Sequence, residues 1–93
     1  MEITLKELNN KGYAIAKDDG NKMGMMTYST PGKDFIIIDH TEVEEAGKGK
    51  GIGKLLLYKI VEMARDKNIK ILPLCPFAKA MFKKIEEIRD VLK

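Results

Sequence analysis

The sequence predicts an α+β fold, in which an antiparallel β-meander is followed by a β-α-β crossover and a C-terminal helix. Up to Val43, short runs of alternating or β-branched apolar residues are separated by turn motifs. From Ile52 onward, apolar residues recur at helical spacing. Because the chain has 93 residues, 44% of them hydrophobic, we expect one packed domain over residues 1–93 rather than a disordered or low-complexity segment.

Turn motifs divide the first half of the chain into four predicted strands. Residues 3–5 alternate between apolar and polar side chains and predict a short first strand. The Asp-Gly pair at residues 19–20 readily adopts positive φ angles, so it predicts a hairpin between residues 13–17 and 22–29. A phenylalanine and three isoleucines within residues 34–43 predict a central strand that is buried on both faces.

Helical periodicity dominates the second half of the chain. It predicts one amphipathic helix over residues 52–67 and another over residues 76–92, with a short strand at residues 69–74 between them. Pro73 indicates that this strand lies at an edge, is short, or separates from a neighbouring strand at that point. Since a strand, a helix and a parallel strand form a right-handed crossover, segment 47–53 should lie at the carboxyl end of the crossover's first strand.

The net charge of +3 conceals an uneven distribution along the chain. Residues 1–46 hold five lysines against nine acidic residues, which gives a net charge of −4. Residues 47–93 hold ten lysines and two arginines against five acidic residues, which gives +7. We therefore expect an anionic ligand to bind the second half of the chain.

The loop before the first predicted helix is the most informative segment. It reads Gly-Lys-Gly-Lys-Gly-Ile-Gly-Lys from Gly47 to Lys54. Glycines let backbone N–H groups approach a ligand, and the unsatisfied N–H groups of a helix N-terminus attract anions. Because three lysines add positive charge, we favour a phosphate-binding loop over the alternative of a flexible surface turn that lysines keep soluble.

Two common nucleotide-binding motifs do not fit this loop. The P-loop motif requires a glycine at the position of Lys48 and a serine or threonine at that of Leu55. The dinucleotide-binding motif requires a third glycine that no register of the loop supplies. The sequence also offers no set of acidic metal ligands, so hydrolysis of a nucleoside triphosphate is not expected and no metal is predicted.

Residues 48–53 and the two leucines after them resemble the Gln/Arg-x-x-Gly-x-Gly/Ala loop with which the GNAT acetyltransferase superfamily binds acetyl-CoA. Residues 40–43 and 74–77 resemble a group of small, single-domain GNAT-like proteins. The resemblance implies a minimal version of the GNAT-like (acyl-CoA N-acyltransferase) fold, with acetyl-CoA as co-substrate and N-acetyltransferase activity toward an amine. The acetyl-CoA-binding residues that it implies are Glu42, Val43, Lys48, Gly49, Lys50, Gly51, Ile52, Gly53, Lys54 and Phe82.

Two residues depart from the usual pattern of that superfamily. Phe82 replaces the tyrosine that can protonate the departing thiolate, and Cys75 replaces the asparagine that hydrogen-bonds the pantetheine arm. The superfamily usually has long helices between its first two strands, and two further strands at its end. This sequence has no counterpart of these elements, which build much of the acceptor pocket. The resemblance therefore supports binding of the acetyl donor more strongly than catalysis.

Three residues are candidates for the chemistry. Cys75 lies before a predicted helix N-terminus, which favours a thiolate, so we expect it to accept an acetyl group or act as the acid; the alternative is a small buried hydrophobic residue. His40, the only histidine, is the candidate base together with Glu42 or Glu44, although a lone histidine is more often structural. One histidine and one cysteine are too few ligands for a zinc site.

The expected partners are acetyl-CoA and an unidentified amine acceptor, either a small molecule or a protein, and we expect a monomer or weak homodimer. The alternative function is a non-catalytic acyl-CoA binding or sensing module. We expect no nucleic acid, since aromatic and basic residues are not interleaved, and no membrane, since no apolar run is long enough to span one. The single cysteine and the lack of a signal-like start at Met1 predict a cytoplasmic protein.

Overall fold

Five strands form one mixed sheet whose order follows the chain. The structure is a computed structural model that describes residues 1–93. The strands are β1 (Glu2–Leu8), β2 (Lys11–Asp18), β3 (Asn21–Ser29), β4 (Phe35–Val43) and β5 (Lys70–Pro73), and the helices are α1 (Ile52–Lys67) and α2 (Pro76–Lys84). The predicted order of a meander, a β-α-β unit and a helix is confirmed.

The first four strands are antiparallel because tight turns reverse the chain between them. Asp19 and Gly20 have φ angles of 53° and 79°, which are the left-handed values that a two-residue hairpin turn needs. Asn9 adopts φ 58° in the turn between β1 and β2, a conformation that asparagine tolerates better than most residues. The predicted hairpin between β2 and β3 is confirmed.

Strand β5 pairs in parallel with β4, so α1 is the crossover helix between them. This helix begins and ends where the periodicity predicted. Asn68 ends it in the left-handed conformation, with φ 57°, and the N–H groups of Asn68 and Ile69 donate to the carbonyls of Arg65 and Ala64. The short strand predicted from Pro73 is also confirmed, since β5 ends at that residue.

The second helix is shorter than predicted. We expected it to extend to Leu92, but α2 ends at Lys84, where Ile85 is extended (φ −106°), and a segment of 3-10 helix follows from Glu86 to Val91. The break lets Leu92 form a parallel bridge with Ile71 on the outer side of β5. Neither helix is long and apolar enough to cross a membrane.

The two faces of the sheet differ in burial because side chains alternate along each strand. Helix α1 packs across one face, whose buried residues include Ala14, Ala16, Met26, Tyr28, Ile36, Ile38 and Ile71. On the other face the apolar residues are only partly buried and lie outside the core cluster; they are Tyr13, Ile15, Met25, Phe35, Ile37 and Leu72. The expectation that β4 is buried on both faces is therefore wrong, since its alternate residues face outward.

Tyr28 is the largest side chain that is fully buried in this core. Its ring lies directly over Gly12, where an added Cβ would come within 2.0 Å of the ring carbon Cζ. Its hydroxyl donates a hydrogen bond to Glu7 Oε2 at 2.7 Å. Burial and then the Glu7 carboxylate raise the pKa of Tyr28 far above the ordinary value for tyrosine. The core therefore depends on a neutral phenol at this position.

Candidate functional site

Strands β4 and β5 separate after a short parallel pairing. Residues 35–38 pair with residues 70–73, and the Leu74 N–H adds one hydrogen bond to the Ile38 carbonyl at 3.0 Å. β4 continues to Val43, but there it pairs with β3 alone. One edge of its backbone is thus open, and such an edge can pair with an extended ligand that contains amide groups.

A β-bulge in β4 lies at the point of separation. Thr27 of β3 pairs with His40, whereas the next residue, Tyr28, pairs with Ile38, so Asp39 has no partner of its own. A bulge bends its strand and increases the local twist. The bulge thus coincides with the point at which β4 parts from β5.

The loop between β4 and α1 adopts a backbone that requires glycine. A single turn of 3-10 helix, Glu45–Gly47, follows β4. Gly49 and Gly51 then have φ angles of 81° and 71°, in the left-handed region that residues with a Cβ rarely occupy. Gly51 is the N-cap of α1 and has no side chain to satisfy the first N–H groups of the helix.

Consequently the loop presents a group of free backbone donors. Five backbone N–H groups between residues 49 and 54 form no hydrogen bond to another backbone group, those of Gly49, Gly51, Ile52, Gly53 and Lys54. Three of these belong to the first turn of α1, where the helix dipole favours negative charge. Free N–H groups in this arrangement form a binding site for phosphate or another anion.

A cavity of about 270 Å³ lies beside these donors. The loop forms one side of it, Val43 of β4 contributes, and Phe77 and Met81 of α2 form another side. Gly53 lies so close to α2 that an added Cβ would come within 2.5 Å of the Phe77 ring carbon Cζ. Sequence reasoning missed Phe77 and Met81 as wall residues; their i, i+4 spacing at the start of the second apolar stripe was the available signal.

The predicted lysines surround this loop with positive charge. Lys48 pairs with Glu45 at 3.3 Å, but both side chains are mostly exposed. Lys54 Nζ lies 5.6 Å from the centroid of the Tyr58 ring, and Lys50 has no ion-pair partner. Since exposed ion pairs contribute little to stability, these ammonium groups are free to turn toward an anion in the loop.

Cys75 lies where β5 gives way to α2, and it is buried. Cys75 is the N-cap residue of α2, and its sulfur accepts a hydrogen bond from the Ala78 N–H at 3.4 Å. The same sulfur lies 3.2 Å from Thr41 Oγ1 on β4, beyond the last paired residues of the two strands. Cys75 therefore contacts both sides of the opening between β4 and β5.

The other acid-base candidates lie elsewhere. His40 and Glu42 are exposed and alternate with Thr41 along β4, so they lie on the opposite face of the sheet from Thr41 and the loop cavity. Glu44 is exposed just after β4, 3.9 Å from Lys22 Nζ. The structure thus brings none of these three side chains into contact with Cys75.

Phe82 also lies apart from the loop cavity. It is 2% exposed and belongs to the core cluster beneath α2. It contributes to the wall of a separate cavity on another side of the helix. No three histidine, cysteine or acidic side chains lie together in a way that could hold a metal ion.

The chain belongs to the family of GCN5-related N-acetyltransferases, because the family model described as GCN5-related N-acetyl-transferase matches residues 12–91. The family indicated by the glycine-lysine loop is therefore confirmed. None of the proteins of curated function compared with the chain matches it by sequence.

Solved structures share the fold. A GCN5-like protein from Staphylococcus aureus is 39% identical, covers 97% of this chain and 87% of its own, and has a TM-score of 0.69. Ribosomal-protein-alanine N-acetyltransferase from Brucella melitensis is 21% identical over 82% of this chain and 61% of its own, with a TM-score of 0.68. A GNAT family acetyltransferase from Elizabethkingia anophelis, solved with acetyl-CoA bound, is 18% identical over 84% and 52%, with a TM-score of 0.65. The predicted GNAT-like fold is confirmed.

Proposed function

We propose that residues 1–93 act as one acetyl-CoA-binding domain that transfers the acetyl group to the amine of an acceptor. The observation that carries this proposal is the group of five free N–H donors at the start of α1, next to a cavity and to the open edge of β4. A phosphate group and a chain with amide groups are the two parts of acetyl-CoA that these features suit. Membership in the family supports the same donor.

Each part of the site has a distinct task in this proposal. The free N–H groups of residues 49–54 bind the pyrophosphate, and Lys48, Lys50 and Lys54 neutralise its charge. The open edge of β4 near Val43 pairs with the amides of the pantetheine arm. A structure with the same fold from E. anophelis was solved with acetyl-CoA bound, which supports acetyl-CoA as the ligand.

Cys75 is the residue that we assign to the chemistry. As the amine nitrogen bonds to the thioester carbon, the C–S bond breaks and the departing thiolate needs a proton, which ultimately comes from the amine. The Cys75 thiol can supply that proton at the opening between β4 and β5, which leaves a Cys75 thiolate. His40 or Glu44 is the proposed base that takes the proton from the amine, and water carries this proton back to the Cys75 thiolate because neither base contacts Cys75.

Binding can be tested with backbone amide NMR spectra of the protein titrated with acetyl-CoA. We expect the largest shifts at residues 47–54, and an affinity about tenfold lower when both Lys50 and Lys54 are replaced by Gln, equivalent to about 1.4 kcal/mol. The matched control is Lys59→Gln, which replaces a partly exposed lysine farther along α1 that does not line the loop cavity, and this variant should bind like the wild type. Unchanged loop amides at millimolar acetyl-CoA would refute the proposal.

A non-catalytic acyl-CoA binding module is the second candidate. Phe82 favours it, since this residue is buried and has no proton to give at the position where the family usually has tyrosine. Incubation with acetyl-CoA and a panel of amines separates the two candidates. If the wild type turns over acetyl-CoA, and Cys75→Ala still binds acetyl-CoA but has no turnover, the protein is a transferase. If the wild type binds acetyl-CoA, shows no turnover and does not become acetylated at Cys75, it is a binding module.

A further inference from the structure

A second cavity, of about 320 Å³, lies on another side of α2 from the glycine-lysine loop. Its apolar wall consists of Pro73 at the end of β5, Phe82 of α2 and Leu92 near the C-terminus. Its remaining wall residues are all cationic, namely Lys79, Lys83 and Arg89. A concave, mainly apolar cavity of this size with a few polar groups is typical of small-molecule sites.

Helix α2 separates this cavity from the acetyl-CoA loop. Phe77 and Met81, four residues apart, line the loop cavity, whereas Lys79 and Lys83, also four residues apart, line the second cavity. Residues four apart share one face of a helix, and residues two apart lie on nearly opposite faces. The two cavities have no wall residue in common, so occupation of one leaves the other accessible.

The positive charge of the second cavity is not compensated. None of its three cations forms an ion pair, and no carboxylate belongs to the wall. Arg89 is fixed in place because its Nε donates to the Phe82 carbonyl at 2.8 Å and another nitrogen donates to the Lys83 carbonyl. Carbonyl oxygens hold the guanidinium without neutralising it, so the cavity retains its attraction for an anion.

We propose that this cavity binds a small amphipathic carboxylate, whose apolar body packs on the exposed Leu92 side chain, with the buried Phe82 and Pro73 at the base of the cavity. The carboxylate group then lies among Lys79, Lys83 and Arg89, from which it accepts charge-assisted hydrogen bonds, which are stronger than hydrogen bonds between neutral groups. The positive charge of the cavity wall favours a carboxylate head group. The apolar part of the wall favours a ligand with a hydrocarbon body over a simple inorganic anion. This site is independent of the proposed acetyl-CoA loop.

Hexanoate is a suitable probe. Two molecules of the same length serve as controls: hexanamide, which is uncharged, and hexylammonium, which is positively charged. We expect hexanoate to shift the Phe82 ring and Leu92 methyl signals in NMR spectra of the full chain, and to bind at least about fivefold more tightly than hexanamide. Hexylammonium should not bind. Replacement of Lys79 and Lys83 by Gln should weaken hexanoate about tenfold and leave hexanamide unchanged.

Lys84→Gln is the matched control, because Lys84 is exposed on the same helix but is not part of the cavity wall. It should bind hexanoate like the wild type, and saturating acetyl-CoA should not displace hexanoate. Equal affinity for hexanoate and hexanamide, equal loss in the Lys84 variant, displacement by acetyl-CoA, or no shift at Phe82 and Leu92 would each overturn the proposal. Apart from displacement by acetyl-CoA, these results would not bear on acetyl-CoA binding at the loop.

Discussion

The sulfur of Cys75 has two structural contacts in addition to its proposed chemistry. It caps α2 through the Ala78 N–H and touches Thr41 across the opening between β4 and β5. The position after β5 could be predicted from the sequence, but the Thr41 contact could not, because it joins residues 34 positions apart. A substitution at Cys75 therefore changes the stability of the fold as well as any activity.

Cys75→Ala should lower the free energy of unfolding by about 1 kcal/mol, since it removes the N-cap acceptor of α2. Cys75→Ser keeps an acceptor and a contact for Thr41, so its stability should stay close to that of the wild type. Urea denaturation followed by circular dichroism measures both variants. If Ala and Ser destabilise the protein equally, the cap contributes nothing.

Gly53→Ala should weaken acetyl-CoA binding by about tenfold, because the new methyl group displaces Phe77 into the loop cavity. A second substitution, Phe77→Ala, should restore part of the lost affinity by making room for the methyl group. Gly32→Ala is the control, since Gly32 has open space around it. Calorimetric titration measures the affinities, and an unchanged Kd for Gly53→Ala would contradict this interpretation of the close contact.

Among the helices and strands, the features that depend on nearby residues in the chain could be predicted from the sequence. The bounds of α1 follow from its apolar period, and the β2–β3 hairpin follows from Asp19 and Gly20. The end of α2 was not predictable from periodicity, because the apolar residues of 76–92 continue at helical spacing past Lys84. Tertiary contacts decide that end: Arg89 binds the last carbonyls of the helix, and Leu92 pairs with β5.

In the candidate site, too, local features could be predicted from the sequence and tertiary contacts could not. The phosphate-type loop was predictable because its glycines and its place before a helix are local features. The wall formed by Phe77 and Met81, and the position of His40 on the opposite face from Thr41, depend on packing and on the register of the sheet. A motif identified the loop, but only the fold shows which residues meet there.

Substitutions at Asn68 test whether the C-terminus of α1 depends on a residue that adopts the left-handed backbone conformation. Asn68→Ala should lower the free energy of unfolding by about 1 kcal/mol, because alanine is strained at φ 57°. Asn68→Gly should leave it unchanged or raise it slightly, since glycine adopts this conformation without strain. Thermal unfolding compares the three proteins, and equal melting temperatures for Ala and Gly would argue against strain at this position.

At the scale of the whole molecule, the small core makes stability sensitive to the buried Tyr28. Its pKa is raised mainly by burial and then by Glu7. Since the unfolded chain loses the phenolic proton near pH 10 while the folded chain keeps it, this group stabilises the fold fully below pH 10 and less as pH rises above it.

The free energy of unfolding should therefore fall between pH 10 and pH 11.5 by up to about 1.4 kcal/mol per pH unit from this one group. Urea denaturation over this range measures the slope. Tyr28→Phe should reduce the steepness of this fall by up to about 1.4 kcal/mol per pH unit, since it removes the phenolic proton. Identical slopes in the wild type and Tyr28→Phe would show that Tyr28 does not control alkaline stability.

The contact between Thr41 and Cys75 has a practical consequence. An extended molecule that pairs with the open edge of β4 must part the hydroxyl from the sulfur, since their 3.2 Å contact spans that opening. Cys75 is also the only cysteine in the chain. Labelling the cysteine Cβ alone with ¹³C would therefore give a protein with a single labelled resonance, located where the strands diverge, whose frequency reports whether a molecule has entered between them.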